Sequence, residues 1–145
     1  MNLSNSILID KVEIIEKTDY FTLSINQKKN RLYLYYTSKP IFFVEEISEY
    51  IPAFEKALSR LQPGFSVLSD KRYCLPYCRA VADEIARTQE MSQEKGLGNV
   101  AIIFPESPLR QIPSLYSLQK TGISYKSFLS FREAEEWLDS NSDLS

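Results

Sequence analysis

Leu61-Gln62-Pro63-Gly64-Phe65-Ser66-Val67-Leu68-Ser69-Asp70 is the stretch that decides the fold. Gln62-Pro63-Gly64 carries both helix breakers and closes the helix before it. Phe65 to Ser69 then reads as a short apolar strand ending at Asp70. Upstream, Ile47, Ile51, Phe54, Leu58 and Leu61 mark one helical face. Pro52 falls inside that pattern, so either the helix kinks there or a short turn precedes a helix starting at Ile51 or Pro52. Further upstream, Tyr20–Ile25 alternates apolar and polar residues. A polar turn, Asn26–Asn30, joins it to Leu32–Thr37, and the two runs form an antiparallel hairpin. Before them, Val12, Ile14 and Ile15 form a short strand or a turn.

Downstream, Asp70–Leu75 reads as a loop and Pro76 as the first turn of a second helix. Its inner face is Val81, Ala82, Ile85 and Ala86, and Lys95-Gly96 ends it. Val100–Phe104 is a continuous apolar run, as in a central parallel strand covered on both faces. Ser107-Pro108 opens a third helix with apolar Leu109, Ile112, Leu115, Tyr116 and Leu118, whose first turns Pro113 distorts. Ile123–Phe128 is the last strand. Ser130 and Glu133 form a capping box for a final helix with the stripe Phe131, Ala134, Trp137 and Leu138. A hairpin followed by alternating helices and strands predicts an α/β domain: a mixed, mostly parallel sheet of about five strands with about four helices. It spans residues 1–145 as one domain, with 1–18 as a lead-in and 139–145 as a frayed tail.

Composition narrows the chemistry. The 145 residues include no histidine, which excludes Ser-His-Asp triads, Cys-His dyads and histidine metal sites. Seventeen Lys and Arg against 19 Asp and Glu give a net charge of −2, which argues against a nucleic-acid binder. Four glycines, none in a phosphate-loop pattern, argue against a nucleotide cradle. Cys74 and Cys78 lack the further ligands that a zinc site needs, so they read as free thiols of a cytoplasmic protein. No apolar run is long enough to span a bilayer. No catalytic constellation, metal site or cofactor is expected.

Asp70 is the most informative carboxylate, because open α/β sheets place ligands at the carboxyl ends of their strands. With Lys71, Arg72, Tyr73, Tyr77 and Arg79 it forms a candidate partner- or ligand-binding loop offering cations to an anionic group. Alternatively, Asp70 caps the loop or pairs with Arg72. Tyr33, Tyr35 and Tyr36 either pack under helices or line an aromatic groove. Glu133, Glu135, Glu136 and Asp139 read as a solvated outer face.

The order of these motifs, from Tyr20 to Leu138, resembles the STAS family and its SpoIIAA-like branch, named for anti-sigma-factor antagonists. The likeness rests on the hairpin and Leu61-Gln62-Pro63-Gly64-Phe65, on the strand ending at Asp70, and on Lys95-Gly96-Leu97 before Asn99-Val100-Ala101-Ile102-Ile103. Gly122-Ile123 and Phe131-Arg132-Glu133-Ala134-Glu135-Glu136-Trp137-Leu138 complete it. The resemblance implies a mixed sheet with packed helices and a role in binding other proteins. In such antagonists a serine or threonine directly after the strand-end aspartate is phosphorylated to break the complex. Here that residue is Lys71, and Ser69 points to the opposite face from its neighbours, so the switch is not carried over. The expectation is a non-enzymatic cytoplasmic interaction module whose partner is a protein, a second copy of itself included. The alternative is a carrier of a small apolar or anionic ligand. A receiver-like phosphoaspartate at Asp70 fits less well, because Asn26, Gln27 and Lys28 stand after the first firm strand where Mg²⁺-binding acids belong.

Overall fold

A computed structural model describes residues 10–141. The start of the expected lead-in (1–9) and the end of the expected tail (142–145) lie outside the described residues. Six strands form one sheet in sequential order: β1 (Val12–Lys17), β2 (Phe21–Asn26), β3 (Arg31–Tyr36), β4 (Ser66–Asp70), β5 (Val100–Ile103) and β6 (Lys126–Phe128). β1, β2 and β3 pair antiparallel, and β3 through β6 pair parallel. The sixth strand comes from Val12–Lys17, inside the expected lead-in. It is an exposed edge with a register shift between Ile14 and Glu16, an irregularity of the kind that blunts free edges.

Three parallel pairings need three crossovers, supplied by α1 (Tyr50–Leu58), α2 (Arg79–Lys95) and α3 (Pro108–Thr121). A 3₁₀ turn over Val44–Ile47 precedes α1, and Pro52 occupies the third position of that helix, where its missing N–H costs nothing. Phe21, Leu23, Ile25, Leu32 and Leu34 pack beneath α1 and α2, and Val100 and Ile102 pack against Leu118 of α3. On the other face lies α4 (Phe131–Ser140), whose Ala134 and Leu138 cover Tyr33, Leu68, Ala101 and Ile103. Ser130 caps α4 by accepting the Glu133 N–H at 3.1 Å.

Five expectations are corrected. α2 starts at Arg79 with Cys78 as its extended N-cap, so Pro76 lies in the loop rather than in the helix. That loop spends its residues burying Cys74 and Tyr77, and the helix begins only once both anchors are seated. Pro113 sits within a continuous α3, whose buried residues are Ser114, Ser117 and Leu118. Leu109, Ile112 and Leu115 of the same helix face outward. Asp139 belongs to α4 rather than to a frayed tail. The acidic patch on that helix divides. Glu135 and Asp139 accept from the Arg31 Nη1 at 2.7 and 2.8 Å, and the Tyr33 hydroxyl donates to Glu135 at 2.6 Å. Lys29 adds a second cation to the same two carboxylates. The Arg31 side chain is only 1% exposed, so its charge must be met by these partners. Burial opposes the charges of both Arg31 and Asp139, but the ion pairs outweigh it: Arg31 is held above its usual range and Asp139 below its own.

Candidate functional site

Alternation along β4 sends neighbouring residues to opposite layers. Asp70, the last residue of the strand, faces the α4 side and is buried. Its Oδ1 accepts from the Arg72 backbone N–H (3.2 Å) and from Arg72 Nε (3.0 Å), and its Oδ2 accepts from Nη2 (2.7 Å). Asp70 thus both caps the turn and fixes the guanidinium in a fork, and Arg72 in turn lies 5.4 Å from the Tyr73 ring centre. This pair holds Arg72 and Tyr73 at the carboxyl edge of the sheet, with Tyr73 58% exposed.

Lys71 goes the other way. It is buried, its Nζ donates to Ser114 Oγ at 2.9 Å, and it lies 5.2 Å from the Tyr36 ring centre. Burial pulls its ammonium down to about 8, and nearby Cys74 opposes that shift only weakly. Tyr77 is turned inward as well, its hydroxyl 3.3 Å from Ser114 Oγ, and burial pushes its phenol far up. Arg79, at the start of α2, donates to the Tyr116 hydroxyl at 3.0 Å and stands beside Asp83 and Lys120 on the outer surface. The six candidates therefore occupy three places. Asp70, Arg72 and Tyr73 share the sheet edge, Lys71 and Tyr77 share the interior beside Ser114, and Arg79 lies on the α2–α3 surface.

Around Arg72 and Tyr73 the surface forms two depressions. The smaller, about 400 Å³, is bounded by Tyr35, Asp70 and Phe131. The larger, an open groove of about 890 Å³, runs across the ends of β5 and β6 past Phe104, Glu106, Arg110, Phe128 and Leu129. Arg110 donates twice to the Cys74 carbonyl, at 3.0 and 3.2 Å, which ties α3 to the loop and fixes that guanidinium at the groove wall. Leu129 is 90% exposed at its rim. The sequence reading missed Phe104, Arg110 and Leu129. The carboxyl-edge rule that singled out Asp70 applies equally to the ends of β5 and β6, and would have found them.

Tyr33 and Tyr35 stack with Phe131 of α4, ring centres about 6 Å apart, so this aromatic pair packs under a helix. Cys74 is a buried free thiol and Cys78 an exposed one. Among the described residues no helix is long and apolar enough to cross a membrane, and no group of three or more Cys, Asp or Glu is placed to hold a metal.

Among solved structures, that of SLC26A9 matches 92% of this chain with a TM-score of 0.55 and 14% identity, and the chain spans about a quarter of that protein, 24% of its length. No known family matches the sequence, and no curated protein does. SLC26A9 contains a STAS domain. At this identity the likeness is one of architecture, and the mixed six-stranded sheet with its four helices is a STAS-like α/β fold.

Proposed function

We propose that this chain is a non-enzymatic, cytoplasmic interaction or regulatory module, and that its partner is a protein that docks on the carboxyl edge of the sheet. The observation that carries the reading is the open groove there, where Tyr73 and Leu129 stand exposed beside the fixed guanidiniums of Arg72 and Arg110. Aromatic and arginine side chains are enriched at protein interfaces, and the guanidiniums of Arg72 and Arg110, fixed before binding, have little side-chain freedom left to lose. The STAS-like fold supports the same reading. Lys71, buried after Asp70, offers no hydroxyl for a phosphoswitch at that position.

The test compares Leu129→Asp and Tyr73→Ala with Ile14→Asp, a control on the exposed outer edge at β1. A partner captured from native lysate by the wild type and by the control, and lost from both groove variants, supports the reading. Light scattering across a concentration series asks whether that partner is a second copy. A strictly monomeric chain whose captured proteins do not respond to the groove variants overturns it.

A further inference from the structure

The interior that receives Lys71 is not filled. Between the inner face of the sheet and α1, α2 and α3 lies a pocket of about 50 Å³, bounded by Leu34, Phe54, Ile85, Ile102 and Leu118 among others. A single water needs roughly 10–15 Å³, so the space exceeds one water, yet it is far too small for a nucleotide or a lipid. Its wall is mostly apolar. Into it face Ser69 and Lys71, which β4 and its continuation place on the same side.

Two features of this wall are unresolved within the protein. The Ser69 hydroxyl is buried, with the residue 5% exposed, and has no hydrogen-bond partner. The Lys71 ammonium, 2% exposed, has the Ser114 hydroxyl and the Tyr36 ring but no carboxylate ion-paired with it among the described residues. The other polar groups on the wall are engaged: Tyr36 and Tyr50 bond each other at 2.7 Å, Thr88 donates to the Ile85 carbonyl, and Ser92 donates to the Thr88 carbonyl. What remains is one uncommitted O–H and one buried positive charge beside a small apolar space. A buried charge without a counter-charge is costly, and a donor without an acceptor adds to that cost.

We propose that this pocket is a binding site for a small monovalent anion, of the size of a halide, formate or acetate, held by the Lys71 ammonium and the Ser69 hydroxyl. The anion supplies the missing counter-charge and acceptor together, and the methyl group of acetate meets the apolar wall. The site lies on the opposite side of β4 from Asp70 and is independent of the docking edge.

The experiment uses the full chain with bromide, formate and acetate as probes. In crystals grown without halide and soaked in bromide, an anomalous peak is expected inside the pocket beside Lys71 Nζ. In solution, formate and acetate at constant ionic strength are expected to raise the melting temperature saturably. Lys71→Met should abolish the rise, and Ser69→Ala should weaken the apparent affinity about tenfold. Ser69→Ala keeps the charge and removes one small polar group, so it reads the site even if the lysine variant misfolds. Bromide only on the surface, a pocket filled by water alone, or a melting response identical in wild type and both variants overturns the proposal.

Discussion

Lys71 shows how one residue can hold a large part of a stability balance. Its folded-state value near 8 stands well below the 10.5 of an exposed lysine, and burial is the main cause. Between those two values the unfolded chain binds a proton that the folded chain has released, so raising the pH in that window favours the folded state. Below about 8 both states are protonated, the slope vanishes and the full penalty is present, on the order of 3 kcal/mol. Lys71→Met, similar in length and apolar, is therefore expected to raise stability by up to that amount near neutral pH in halide- and carboxylate-free buffer. The advantage should shrink as pH rises from 8 to 10.5. Urea unfolding of both proteins across that range checks it; the difference between them cancels the titration of Tyr36 and Tyr77, and Cys74, whose thiol Lys71 pulls down, is replaced by serine in both. A variant less stable than wild type, or a gap that ignores pH, contradicts the assignment. Asp70 and Arg72 lie on either side of Lys71 and share none of this balance, since each alternate residue belongs to another layer.

At the scale of elements, two contacts join pieces far apart in the chain. The first is the ion cluster between the start of β3 and α4. Arg31→Ala leaves Glu135 with Lys29 and the Tyr33 hydroxyl but removes its buried partner, and is expected to cost about 1–3 kcal/mol in urea unfolding. A double-mutant cycle with Glu135→Ala should show clear coupling, and additivity would mean that the pair contributes nothing. Asp139, held below its usual range, adds stability that is present above pH 4 and lost as the pH falls through its lowered value. The second contact is the approach of Gly98 to the Gly64 turn. Gly98 donates to the Phe65 carbonyl at 2.7 Å, and a Cβ there would stand 2.5 Å from the Gly64 carbonyl oxygen. Gly98→Ala is expected to cost about 1–3 kcal/mol in thermal unfolding by forcing the two loops apart. Neither contact was legible in the sequence. Arg31 meets acids more than a hundred residues away, and Gly98 is needed for its neighbour rather than for its own dihedral angles. The helices and strands were legible wherever periodicity carried them, as in α2 and α4. In α3 apolar spacing misled, because that helix turns small serines inward to receive Lys71, Tyr77 and Gln89. The candidate site was half legible: the carboxyl-edge argument pointed to Asp70, Arg72 and Tyr73, which line the two depressions, but not to the β5 and β6 ends that complete the larger one.

At the scale of the molecule, among the described residues, one face of the sheet is shared by three helices and the other is covered by α4. A chain ending at residue 130 would bare Tyr33, Leu68, Ala101 and Ile103 at once. Such a truncation is expected to bind a hydrophobic dye and to lose cooperative melting. A cooperative, dye-silent truncation at 130 would show that α4 is dispensable to the core. The sequential order of the strands carries a further consequence for how the chain is made. Every strand pairs with the one synthesised just before it, so the sheet can be laid down in the direction in which the ribosome delivers it, without waiting for a distant segment. Helix α4, made after all six strands, seals the second face and locks back onto Arg31. That face therefore stays uncovered until residues 131–140 have been delivered, long after the strand that carries Arg31.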